Sequence, residues 1–399
     1  MKYLKLFENH AGYEAYINGG GVVLPNVSYC ISENEVHYKK KPNDFSKDYL
    51  TFEAVEDATF TFSNSGLSYS TDDGNTWASL AANTATPPVS AGNKILFKGE
   101  MTPSSVNPRG IGTFSNTGKF NASGNIMSLL FGDDFIGQTD LTGKNWAFYQ
   151  LFYNDVYLVG AADLILPATT LATSCYSGMF YGCTSLATAP ELPATTLAGN
   201  CYSNMFHGCI SLTTAPELPA TTLANGCYNG MFNGCTSLTA ATELPAKTLA
   251  NNCYASMFAS CTSLATAPEL PATTLGESCY NNMFAGCTSL STAPELLPAT
   301  TLAFNCYSGM FYDCKSLVTA PELPATTLAG SCYSGMFFSC SNLNYIKAMF
   351  TTTPTNADTG MWVGAVADTG TFVKNSAATW NVTGPNGIPN GWTVETASA

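Results

Sequence analysis

Residues 183–208 read "CTSLATAPELPATTLAGNCYSNMFHG", and the same pattern recurs along the chain. Its closing motif appears as "CYSGMFYGC" from Cys175, "CYSNMFHGC" from Cys201, "CYNGMFNGC" from Cys227 and "CYASMFASC" from Cys253. It continues as "CYNNMFAGC" from Cys279, "CYSGMFYDC" from Cys306 and "CYSGMFFSC" from Cys332. The period is 26 residues, with one step of 27 where "PELLPATT" (294–301) carries an extra leucine. A unit of this length cannot bury its own apolar face, whereas stacked units share a continuous core. Within a unit, "SLATAP" predicts a short extended segment, limited by Pro190 and Pro193, which cannot donate to a ladder. "ATTLAGN" predicts a turn-rich connector with one buried leucine, Leu197. "CYSNMFHG" predicts a helical or 3-10 segment closed by Gly208.

The cysteines admit three readings. If "CYSGMFYGC" is helical, Cys175, Met179 and Cys183 share one stripe. Two cysteines about 12 Å apart along a helix axis cannot bridge each other. Metal sites want close pairs such as Cys-x2-Cys with histidine nearby, and the array holds only His207. Disulfides between neighbouring units are the second alternative. The favoured reading is reduced, buried thiols acting as small hydrophobes.

Around the array the chain changes character. Residues 6–18 have helical spacing, and 26–40 predict a hairpin turning at "SENE". Residues 45–162 alternate strongly, as in "YLTFEAVEDATFTFSNSGLSYSTDDGNTWASL", and predict a small β-sandwich. The fold class expected is therefore α+β and β-rich. The segments are an N-terminal anchoring segment (1–44), a β-sandwich (45–162), a repeat solenoid of seven units (163–345) and a C-terminal cap (346–399).

Composition bounds the function. Charged residues make up 11% of the 399, and the net charge is −13. Nucleic-acid binding needs clustered lysine and arginine, so that class is not expected. No apolar run is long enough for a membrane span. The first twenty residues lack the apolar core of a signal peptide, so none is expected. There is no glycine-rich phosphate loop and no nucleophile elbow. The expectation is a non-enzymatic chain without cofactor, with the pair Asp133–Asp134 noted as carboxylates a glycosidase would need.

Four motifs carry candidate roles. "STDDGNTW" (70–77) is similar to the Asp-box, a hairpin-turn device in which Asp72 binds turn amides, Gly74 supplies a permissive dihedral and Trp77 packs beneath. Glu191, Glu217, Glu243, Glu269, Glu295 and Glu322 hold one position in successive units. That column reads as a solvated ridge, with Ca²⁺ binding as the alternative. Residues 163–345 hold nine acidic and two basic side chains. The tyrosines that follow each first cysteine, Tyr176 to Tyr333, read as packing on the flank with wet hydroxyls, with sugar stacking as the alternative. The position after Met-Phe varies instead: Tyr181, His207, Asn233, Ala259, Ala285, Tyr312 and Phe338. Tyr181, His207, Asn233, Tyr312 and Phe338 are the candidate binding residues.

The order "C-T-S-L…L-P…L…M-F-x-G-C" resembles the BspA-like leucine-rich repeat, with Met-Phe where that family has Ala-Phe and with a longer connector. "GIPNGWTV" (387–394) resembles the cap such arrays carry. The family implies surface recognition and adhesion. "LKLFENHAGYEAYINGGGVVLPNVSYCISENEVHY" (4–38) is similar to the opening segment of virion proteins from crAss-like tailed phages of gut bacteria. "NIMSLLFGDDFIGQTDLTGKNWAFYQLFYN" (125–154) is similar to the segment leading into such arrays. These resemblances imply a virion fibre or appendage, assembled in the host cytoplasm. Residues 1–44 would attach to other virion proteins, and the solenoid would contact a bacterial surface glycan or protein. A homo-oligomer is expected. The alternatives are a bacterial surface adhesin and a polysaccharide-degrading enzyme.

Overall fold

A computed structural model describes residues 27–32, 35–40, 48–104 and 110–397. The helix expected over 6–18 lies outside the described residues. Strands β1 (Val27–Ser32) and β2 (Glu35–Lys40) pair antiparallel, from Val27 opposite Lys40 to Ser32 opposite Glu35. The chain is β-rich, and its two α-helices among the described residues, α1 (Ser128–Phe131) and α2 (Asn356–Thr359), have four residues each.

The alternating stretch forms strands β3 (Leu50–Ala54), β4 (Phe60–Phe62), β5 (Leu67–Ser70), β6 (Ala78–Leu80), β7 (Lys94–Gly99), β8 (Phe114–Asn116) and β9 (Phe120–Asn125). With β10 (Leu158–Ile165) they make a six-stranded sheet in the order β10-β9-β3-β7-β5-β6, beside a separate β4–β8 pair. Phe60 and Phe114 from the pair meet Phe52 and Phe97 of the sheet at 4.9–6.3 Å between ring centres. The hairpin β5–β6 carries the Asp-box. Asp72 accepts from the Thr76 amide (2.9 Å) and hydroxyl (2.7 Å), and the Trp77 indole donates to the Gly74 carbonyl (3.1 Å). These hydrogen bonds hold the Asp72 carboxyl at about 2.

Strand β10 connects this sheet to the repeats. It pairs parallel with β9 on one side, and Gly160 bridges parallel to Thr188 of the first full unit on the other. The extended segment of each unit contributes single parallel bridges rather than strands: Thr214 to Ala240, Thr266 to Thr292 and Thr319 to Tyr345. The prolines that follow shorten the pairing to that minimum. Strands β11 (Tyr345–Ala348), β12 (Thr371–Lys374) and β13 (Thr393–Thr396) then form a parallel sheet.

The cysteine motifs are not helices. In the first, the amides of Cys175, Ser177, Met179, Tyr181 and Cys183 donate three residues back, to Ala172, Ser174, Tyr176, Gly178 and Phe180. The intervening amides of Tyr176, Gly178, Phe180 and Gly182 donate to Cys201, Ser203, Met205 and His207 of the next unit, at 2.7–2.9 Å. Each motif is thus a chain of overlapping turns whose alternate N–H groups bind the neighbouring unit. A residue with positive φ recurs every fourth position, at Ser174, Gly178 and Gly182. All 21 equivalent positions in the seven units are Gly, Asn, Ser or Asp, and all have positive φ. A right-handed helix cannot contain such residues at that frequency, whereas a turn with a left-handed third residue requires them.

This backbone turns more side chains inward than a helix would. Cys175, Tyr176, Met179, Phe180 and Cys183 are all buried, as are their equivalents to Cys340. Leu186 and its equivalents to Leu343 close the core from the extended segment. Phe180 to Phe337 form a column of parallel rings 5.4–5.8 Å apart. Tyr176 to Tyr333 form a second, at 5.7–6.0 Å. The tyrosines therefore do not lie on the flank with wet hydroxyls. They are inside, and the hydroxyls of Tyr176, Tyr202, Tyr228 and Tyr307 have no hydrogen-bond partner. Burial drives the Tyr202 phenol far above its ordinary range, and the neighbouring Tyr176 and Cys201 add to it.

All fourteen array cysteines are free and buried. The second thiol of each motif is also a donor. Cys183 Sγ–H donates to the Phe152 carbonyl (3.0 Å), and Cys209 to Phe180 (3.1 Å). The series runs to Cys340 and Phe311 at 2.9 Å. Burial pushes the Cys175 and Cys235 thiols up to about 12.

The hydrogen bonding between units extends past residues 163–345 at both ends. The Phe148, Gln150, Phe152 and Asn154 amides donate to Cys175, Ser177, Met179 and Tyr181. Phe148 stacks on Tyr176 (5.4 Å) and Phe152 on Phe180 (5.5 Å), and Phe152 also touches Phe52. At the other end, Gly335, Phe337 and Ser339 donate to Gly360, Trp362 and Gly364. Trp362 and Phe350 lie against Tyr333 and end the ring columns.

Candidate outward-facing binding surface

The turn chain that turns Phe180 inward turns the next residue outward. At that position Tyr181, His207, Asn233 and Phe338 are half-buried and Tyr312 is 43% exposed. Ala259 in the same column is buried. The structure gathers these residues into two groups. Tyr153, Tyr181 and His207 form a stacked ladder, with ring centres 5.1 and 4.4 Å apart and the last two planes 4° from parallel. Tyr312 and Phe338 stack at 5.2 Å. Asn233, Ala259 and Ala285 leave a stretch of short side chains between the groups. At about 4.8 Å per stacked unit, the two groups are ~20 Å apart.

Tyr153 was not among the sequence candidates. Its unit lacks both cysteines, with Ala147 and Asp155 in their places. The signal present was Phe148 and Phe152, four apart like Tyr176 and Phe180. Val156 and Ile210, at 47% and 45% exposure, lie three residues after Tyr153 and His207. The Tyr153 end therefore presents more apolar surface than the middle of the array.

His207 is the one histidine of the repeats. Its ring lies flat on Tyr181, and its Nδ1 is buried without a hydrogen-bond partner. Burial holds its pKa below the ordinary imidazole range, which keeps the ring neutral and able to stack.

The glutamates occupy a different edge. Glu191, Glu217, Glu243, Glu269 and Glu295 are exposed, and Glu322 pairs with Lys347 at 3.0 Å. Among the described residues, no group of three or more His, Cys, Asp or Glu side chains converges as a metal site would require. Asp133 is held by Lys98 (2.7 Å) and by the Tyr49 hydroxyl (2.6 Å), and the Lys98 ammonium keeps its pKa below the usual carboxylate range. Lys98 also lies 4.3 Å over the Trp77 ring, so this cluster ties the Asp-box hairpin to the turn at 132–134. No helix among the described residues is long and apolar enough to cross a membrane. No family model matches the sequence, and no curated protein matches it.

Proposed function

We propose that the chain is a non-enzymatic structural and adhesive component of a tailed-phage particle. In this reading the stacked units form a leucine-rich-repeat solenoid of the BspA-like kind, which projects from the particle and contacts a glycan on the bacterial host. Residues 1–44 attach to other virion proteins, 45–162 act as spacer and oligomerisation unit, and 346–399 close the far end. Assembly takes place in the host cytoplasm. The observation that supports a binding role is the contrast between constant and varied columns. The side chains inside the units repeat almost unchanged, while the outward position carries Tyr181, His207, Tyr312 and Phe338. Aromatic side chains half open to solvent suit the apolar faces of sugar rings. Weak contacts of this kind gain strength when many copies act together. Mass spectrometry of gradient-washed virions should detect the protein at a fixed ratio to the capsid protein. Its absence from washed particles, with abundant protein in the infected lysate, would refute the virion assignment.

A further inference from the structure

One unit breaks the pattern of the connector. Where the array reads Pro-Ala-Thr-Thr-Leu, this unit reads Pro245-Ala246-Lys247-Thr248-Leu249. It also has Thr242 where its neighbours have Pro216 and Pro268. An open cleft of about 480 Å³ lies at this point, lined by Thr221, Thr222 and Leu223 of the preceding unit and by Pro245, Lys247 and Thr248. The Lys247 backbone is fixed, because its carbonyl accepts from the Thr273 and Thr274 amides of the next unit at 3.0 and 3.2 Å.

The side chain is not committed in the same way. Lys94, Lys98, Lys119, Lys315 and Lys347 form ion pairs. Lys374 donates to the Trp380 carbonyl, and Lys144 lies over the Phe131 ring. Among the lysines described from residue 48 onward, Lys247 alone has neither an ion pair, a hydrogen bond nor an aromatic partner. An ammonium with no internal partner, at the mouth of a cleft bordered by exposed threonine hydroxyls, is a donor set. Hydroxyls and one ammonium match a singly charged anionic group flanked by sugar hydroxyls.

We propose that Lys247, with Thr221, Thr222 and Thr248, forms a subsite for the anionic group of an acidic surface glycan. This rests on the glycan reading of the array and names the ligand class within it. The anion is either the carboxylate of a uronic acid or the phosphodiester of a sugar-phosphate polymer. Each presents one charge beside ring hydroxyls.

The test uses the full chain and its K247T variant. Threonine is the array's own residue at this position, so the variant keeps the fold. Binding of tetragalacturonate, a ribitol-phosphate oligomer and neutral maltotetraose is measured by biolayer interferometry at constant ionic strength. K247T should weaken one of the two acidic ligands about threefold and K247E about tenfold, the size of one exposed charge contact, with maltotetraose unchanged. K247R should retain binding. The ligand that responds identifies the source of the anion. Equal binding of both acidic oligomers by wild type and K247T overturns the proposal, as does a parallel loss for maltotetraose. Separately, wild-type protein is tested against total polysaccharide extracted from the host envelope. Binding there that K247T leaves intact overturns the subsite and keeps the glycan reading. No binding by wild type removes both.

Discussion

Replacing Gly335 by alanine separates the turn-chain backbone from a helix by the sign of the effect. Gly335 has φ +61°, and a Cβ added there would meet no atom within 4 Å. The substitution therefore tests backbone conformation alone. In a helix interior, glycine to alanine stabilises by about 1 kcal/mol. In a left-handed position, alanine carries a cost of about 1–2 kcal/mol, offset by about 0.4–1 kcal/mol from a stiffer unfolded chain. The net expectation is a loss of about 1 kcal/mol, so the two backbones differ by roughly 2 kcal/mol at one residue. Gly335→Asn should cost less than Gly335→Ala, because asparagine tolerates this region, as Asn204 and Asn282 do at equivalent positions. Gly230→Ala adds a contact with the end of the Asn204 side chain, which can turn aside, so it should lose at least as much as Gly335→Ala. Urea unfolding followed by circular dichroism ranks the variants. A Gly335→Ala protein more stable than wild type would refute the alternating-turn backbone.

Three further outcomes are expected. Under denaturing, non-reducing conditions a thiol reagent should count close to the fifteen cysteines of the sequence, while in the native state the fourteen array thiols should react slowly; a denatured count near one would sink the reduced core. Because the folded pKa of His207 is depressed, the unfolded chain binds its proton first, so stability should fall as pH drops below about 6.5 and be flat above it. His207→Asn should remove that slope, and an unchanged slope by pH-dependent urea titration would contradict the assignment. Asp72, held at about 2, contributes stability above the ordinary carboxylate range that is lost as pH falls through about 2; Asp72→Ala should loosen the β5–β6 hairpin and change Trp77 fluorescence, and an identical spectrum would count against its role in the turn.

The repeat period, the inward cysteines and the outward variable column were legible because they depend on spacing. The backbone was not, because a four-residue spacing is ambiguous. Cys175, Met179 and Cys183 fall on one side of a helix at 3.6 residues per turn, and equally on one side of a turn chain whose left-handed residue recurs every four. The deciding signal lay in the small polar residues at 174, 178 and 182, whose identities fit positive φ and not a helix interior. The buried tyrosines followed from the same error. A helix would have put Tyr176 about 100° from Cys175, on the flank, whereas alternating turns bring both into the core. The flanking units at 146–154 and 357–365 lack the paired cysteines that mark the others, and there Trp146, Gln150 and Met361 take the left-handed conformation without the usual residues. Their place in the stack is set by neighbours rather than by their own preferences. In the sequence Lys247 is only one of the two basic residues of 163–345; the structure adds the cleft beside it and the partners of the other lysines.

The two kinds of column differ in what a change costs. Inside, each ring stacks on its equivalents above and below, so removing Phe232 would leave a cavity touching three units, at about 3–5 kcal/mol. Outside, a substitution on a solvent-facing position typically changes stability by no more than about 0.5 kcal/mol. The same backbone therefore carries tyrosine, histidine, asparagine, alanine and phenylalanine after Met-Phe, and carries lysine in place of threonine once in the connector. The main-chain ladder between units and the buried Cys Sγ–H donors do not involve the side chain after Met-Phe, so they do not depend on which residue stands there. The outward side chains can then change along the array without disturbing its stacking. If the array binds the glycan proposed above, that separation makes the aromatic ladder at Tyr181 and the ammonium of Lys247 the places to look for the contact.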